Sequence, residues 1–169
     1  MRAGRGKHKG GAFERLCCKE LSLWMSEGKA EDYYWRSAMS GGRSTVAAAK
    51  GKRLAAQAGD ISCVNELGHA LTDQFLIECK TYRDLQFEGL IKGTGHLADF
   101  WLDTKLESNT YGKCPMLIAK QNQQPICVCI NDYGRQTLGL DLEYHLYVPR
   151  LELYLILFDH FLKHAERPS

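Results

Sequence analysis

Residues 73–82 read "DQFLIECKTY". The apolar run Phe75-Leu76-Ile77 ends in an acid and a base one residue apart, Glu78 and Lys80. The stretch predicts a strand, and strand side chains alternate, so Glu78 and Lys80 share one face while Ile77 and Cys79 share the other. An isolated E-x-K triplet in a strand is ordinarily a solvated polar face. Its neighbours change that reading. "DISCVN", residues 60–65, also alternates, begins with Asp60 directly after Gly59, and is separated from the E-x-K strand by the turn-like Asn65 to Thr72. The two segments are expected to pair as a hairpin, which brings Asp60 beside Glu78. Two carboxylates and one lysine then meet at one end of a sheet.

Working outward, residues 9–27 predict a helix with Phe13, Leu16, Cys17, Leu21 and Trp24 on one face and Gly28 as its stop. "YYWRS", residues 33–37, reads as a short strand. Residues 83–95 predict a loop containing Gly89, Gly93 and Gly95. A helix over 96–109 follows, with Leu97, Phe100, Trp101 and Leu106 facing inward. "PMLIAK" and "PICVCI" are short strands entered through proline. "EYHLYV" and "LELYLILF" read as strands, or, for the last, as the start of a terminal helix. This order predicts an α/β domain with a mixed central sheet flanked by helices.

The 169 residues suit one domain with a sizeable core, and 25% charged with 44% hydrophobic residues is the composition of an ordinary globular chain. The expected organisation is a basic tail at 1–8, one domain over 9–169, a basic loop at 40–58 and a C-terminal extension from about 131. No stretch is long and apolar enough for a membrane span, and the N-terminus lacks a signal peptide's apolar core, so a cytoplasmic location is expected. The seven cysteines are an odd number in mostly apolar surroundings, which predicts reduced, buried thiols. Neither Cys17-Cys18 nor Cys127-x-Cys129 has zinc-site spacing. Net charge is only +2, but Arg5, Lys7 and Lys9 cluster near the N-terminus, and Arg43, Lys50, Lys52 and Arg53 cluster in a Gly-, Ala- and Ser-rich segment. With Arg36 these form the candidate DNA-binding set, because clustered positive charge suits a phosphate backbone.

The Asp60, Glu78 and Lys80 set has the chemistry for metal-assisted phosphodiester cleavage. Mg²⁺ is a hard cation usually held by one or two carboxylates, waters and a substrate phosphate. Bound, it lowers the pKa of a water. A lysine alongside can orient that water, help deprotonate it or stabilise charge growing on phosphorus.

Four segments stand in order: "KHKGGAFERLCCKEL", "YYWRSAMSGGR", "GDISCV" and "FLIECKTY". In this the chain resembles the PD-(D/E)XK nuclease superfamily, and within it the archaeal-type Holliday junction resolvases and their phage relatives, over roughly residues 5–130. The resemblance implies a restriction-endonuclease-like core. It implies Glu14, Asp60 and Glu78 as metal-site acids, Lys80 as the catalytic lysine and Ser40 as a functional serine. It also implies Mg²⁺, with Mn²⁺ able to substitute, and a homodimer cleaving four-way DNA junctions in recombination, repair or phage DNA processing. Other substrates of the superfamily (flap, fork or restriction site), or an inactive DNA-binding protein of this fold, are the alternatives. Gly59 stands where the family usually has proline, and the segment from Ser40 to Ala58 is longer than in the compact archaeal enzymes.

Overall fold

The computed structural model describes residues 5–37, 58–141, 143 and 145–169, with only the backbone of residues 5–9. Ser40, Arg43, Lys50, Lys52 and Arg53, with the side chains of Arg5, Lys7 and Lys9, therefore lie outside the described residues. The elements in chain order are α1 (Arg5–Met25), β1 (Tyr34–Arg36), β2 (Ile61–Cys63), α2 (His69–Gln74), β3 (Phe75–Tyr82), α3 (His96–Tyr111), β4 (Cys114–Gln121), β5 (Ile126–Ile130), α4 (Asp132–Thr137), β6 (Leu146–Val148), β7 (Leu153–Leu157) and α5 (Phe158–His164). Helix α1 already runs from Arg5, inside the segment expected as a tail.

Five strands form the main sheet in the order β3-β4-β5-β7-β6, and β1 and β2 form a separate antiparallel ribbon. Strands β3 and β4 are parallel, with Glu78 opposite Leu117 and Lys80 opposite Ala119, while the remaining pairs are antiparallel. A parallel pair needs a crossover, and α3 supplies it. Both faces of the sheet are covered. Ile77, Cys79, Met116, Ile118, Val128 and Ile156 pack with α1 residues Phe13, Cys17 and Leu21 and with Phe161 of α5. On the other face Leu117, Ala119, Cys127 and Cys129 pack with Leu97, Ala98 and Trp101 of α3. Two-sided cover explains why β4 and β5 read as continuous apolar runs rather than alternating ones.

Helix α1 is tied to the ribbon by Ser22, whose Oγ donates to Cys18 O at 2.7 Å and accepts from Tyr34 N at 3.0 Å. The Tyr34 hydroxyl donates to Gly68 O at 2.9 Å. Helix α3 is anchored by Trp101, fully buried, whose Nε1 donates to Leu151 O at 3.0 Å.

Several expectations differ from the structure. Segments 60–65 and 73–82 do not pair as a hairpin. The turn expected over residues 65–72 and the first two residues of the expected strand are largely helical over 66–74, and β2 pairs with β1 instead. Three ladder pairs to β1 and packing beneath α1 win over a local connection to β3. Leu16 and Leu106, expected to face inward, are exposed. The segment expected as a C-terminal extension supplies β6, β7 and α5, so it completes the core sheet rather than decorating it. All seven cysteines are free thiols, and all but Cys63 are buried.

Candidate active site

Among the described residues strand β3 is the terminal strand of the sheet, and one of its edges has no ladder partner there. That edge is covered by residues 59 and 60. Asp60 N donates to Ile77 O at 2.8 Å, and Cys79 N donates to Asp60 Oδ2 at 2.9 Å. These two bonds straddle Glu78 and clamp the aspartate against the strand. The approach is close enough to require glycine just before it. Gly59 has φ +81°, and a Cβ there would lie 2.7 Å from Ile77 O. Proline, with φ fixed near −65°, cannot adopt this conformation, which accounts for the departure from the pattern noted at this position.

Asp60 and Glu78 are both buried, at 7% and 8% exposure. Lys80 joins them: its Nζ lies 2.5 Å from Glu78 Oε2 and 3.7 Å from Asp60 Oδ2. One ammonium thus serves two carboxylates. Burial first and then the Asp60 charge push the Glu78 carboxyl up to about 8, with Lys80 only partly opposing them. Burial alone would lower the Lys80 pKa, but the Glu78 and Asp60 carboxylates more than offset it and hold the ammonium above its ordinary range. A short ion pair and a raised carboxyl are compatible: two acids compete for one cation, and their mutual repulsion lifts one of them.

Glu14 sits on α1 and is paired with Arg36. Its carboxylate accepts from Arg36 Nε of β1, and that guanidinium lies over Gly11, where a Cβ would stand 3.1 Å from Nη1. Burial first, then Cys17, Glu14 and Asp60, push the Cys18 thiol up to about 12, with Arg36 opposing. Arg36, expected as a DNA contact, shares its charge with Glu14.

A further acid, Glu107, feels the charges of the cluster without any sequence signal. Glu107 lies on α3 between Thr104 and Ser108, two buried positions of that helix. Its carboxyl is raised by burial and by Asp60, with Lys80 opposing. An acid beside a buried helical stripe has no distinctive spacing, so only the packing of α3 over β3 reveals it.

A family profile described as "Phage putative PDDEXK endonuclease" matches residues 5–151. The chain belongs to this family. The matched segment runs from α1 to the turn before β7 and includes Glu14, Asp60, Glu78, Lys80 and Glu107. Family membership makes the chain a nuclease, with DNA as the substrate and the restriction-endonuclease-like core seen in the mixed sheet and its flanking helices. No curated protein and no solved structure matches the chain. No helix among the described residues is long and apolar enough to cross a membrane.

Divalent metals serve PDDEXK endonucleases generally, and the donor set fits such an ion. Asp60 and Glu78 offer hard oxygen atoms that both lie within 4 Å of the Lys80 ammonium. Among the described residues no three His, Cys, Asp or Glu side chains converge as metal ligands. Asp60 and Glu78 would be the residues to hold such an ion, since a hard divalent cation usually takes one or two carboxylates with waters and a phosphate.

Proposed function

We propose that this endonuclease is Mg²⁺-dependent and structure-selective, acting as a homodimer on four-way DNA junctions. The observation that carries the catalytic part is the single ammonium of Lys80 set between Asp60 and Glu78. The ordered likeness of four segments to junction resolvases supports the choice of substrate, and a two-fold protein matches a junction's two symmetry-related cleavage positions.

Asp60 and Glu78 would hold the cation, with Glu14 the third candidate acid once Arg36 engages a phosphate. Bound there, the ion would acidify a water and offset charge on the scissile phosphate. Asp60 is held in place by the Cys79 N–H, so its carboxylate needs no reorganisation on binding. Glu78 must give up its proton to serve as a ligand. Lys80, held above its ordinary pKa, is a hydrogen-bond donor and not a base in the resting protein. Its part is to orient water or to offset charge developing on the phosphate oxygens. Arg5, Lys7, Lys9, Arg43, Lys50, Lys52 and Arg53 would hold backbone phosphates, giving binding without base readout, and Ser40 would stand by the site.

The test is incubation of the purified protein with labelled four-way junction, fork and linear duplex, with and without Mg²⁺. Preferential, Mg²⁺-dependent junction cleavage is expected. Equal or better cutting of fork or duplex assigns another substrate, and no cutting with Mg²⁺ or Mn²⁺ assigns an inactive DNA-binding protein.

A further inference from the structure

We infer that Tyr82, His96 and Phe100 form a stacking platform that receives an unpaired base next to the scissile phosphate. This rests on the nuclease reading and names a feature of its substrate: at least one nucleotide at the cleavage point must be out of the duplex stack.

Tyr82 ends β3 two residues beyond Lys80, so by alternation it projects from the same face as Glu78 and Lys80. Two strand residues advance about 7 Å, roughly two stacking steps of 3.4 Å. His96 and Phe100 sit one turn apart on the first part of α3. The ring centroids of Tyr82 and His96 are 4.5 Å apart, those of Tyr82 and Phe100 5.7 Å, and those of His96 and Phe100 6.3 Å.

The cluster is not what docks α3 on the sheet. The docking is done chiefly by Leu97, Ala98 and Trp101, each fully buried, and by the Trp101 bond to Leu151, with Phe100 packing half-buried against the same core. Tyr82 keeps 43% of its surface in solvent, beside a lysine poised for phosphate and with Arg83, also exposed, next in the chain. Aromatic faces continuous with cations are how proteins grip single-stranded DNA, one base per ring and without sequence preference. A base within a duplex offers no free face to such a ring, whereas a base at a branch point, fork or frayed end does. The platform would therefore supply selectivity for branched DNA close to the chemistry, independently of the basic segments.

The test uses the full chain, without divalent metal so that nothing is cut, and a fork carrying 2-aminopurine in its single strand within two nucleotides of the branch. The same sequence as full duplex is the comparison. Binding of the fork should quench the fluorophore. Tyr82→Leu, which keeps apolar packing against His96 and Phe100, should abolish the quench, and the fork-over-duplex affinity ratio should fall roughly tenfold. Tyr82→Phe should retain both. No quench in the wild-type protein, or a quench and ratio unchanged by Tyr82→Leu, overturns the platform. Cleavage with Mg²⁺ is scored separately: quenching without cleavage of any substrate keeps the platform and removes the nuclease reading, and cleavage without quenching does the reverse.

Discussion

Lys80 is shared between two acids, and that sharing determines what each single substitution does. Asp60→Asn and Glu78→Gln each remove a ligand oxygen, an effect of several kcal/mol on the transition state, so each should lower the cleavage rate roughly a thousandfold or more. DNA affinity, read by gel shift without metal, should hold. Lys80→Ala should cost about a hundredfold or more in rate with Mg²⁺ dependence little changed. Wild-type cleavage by Asp60→Asn would remove Asp60 from the site. The raised Glu78 carboxyl has a second consequence. Its folded-state pKa of about 8 lies above the ordinary value of 4.5, so the folded protein binds more protons than the unfolded chain between those limits. Stability from this group is complete below about pH 4.5 and is lost as pH rises through 8. Glu78→Gln removes that loss. Thermal melts without metal should show the Tm difference moving in the variant's favour from pH 5 to pH 8.5. A difference that stays constant across this range would mean that Glu78 is ionised throughout.

At the scale of elements, the close approach of residues 59 and 60 to β3 positions the site. Gly59→Ala places a Cβ against Ile77 O and forces a left-handed backbone on alanine, which costs about 1–2 kcal/mol before any clash. Gly28→Ala is the control: φ is +79°, yet nothing lies within 4 Å of the added Cβ. Both should lower Tm, but only Gly59→Ala should lower cleavage strongly, because only there does the displacement move Asp60. Equal cleavage in the two variants would show that the approach does not position the acid. The sequence revealed part of this. The pairing of Glu78 with Lys80 follows from strand alternation alone. The nearness of Asp60 was also legible, although through a hairpin that does not form. Local pattern cannot tell which partner a three-residue strand takes, since the choice of β1 over β3 is made by nonlocal packing under α1. The strict need for glycine at 59 is invisible for a similar reason, because it comes from a close approach between distant segments.

For the whole molecule, helices cover both faces of the sheet, Asp60, Glu78 and Lys80 meet at β3 with Tyr82 on the same strand, and the basic segments are proposed to bring DNA to them. Arg43, Lys50, Lys52 and Arg53 are expected each to neutralise one phosphate. Counterion release lowers log affinity by about 0.9 per phosphate per unit of log salt. Replacing all four with alanine should therefore flatten the slope by up to about 3 to 4 units, measured by anisotropy on duplex and junction. An unchanged slope would return phosphate binding to Arg5, Lys7 and Lys9 or to another face. The integration of β6, β7 and α5 into the core means that a chain cut near residue 131 should not fold as a smaller nuclease, since it loses two of the five strands.

The cover of the β3 edge matters for more than positioning. A terminal strand with free N–H and C=O groups is a template on which a second molecule can add its own strand. Here Asp60 occupies the Ile77 carbonyl and the Cys79 amide, the two groups flanking Glu78 on that edge. The acid at the centre of the proposed chemistry is also a guard against self-association. Asn at this position keeps a side-chain acceptor for the Cys79 amide, whereas Ala exposes it. Variants that lose the carboxylate altogether would thus betray themselves first in solution behaviour, as stickiness between folded molecules, and only afterwards in unfolding.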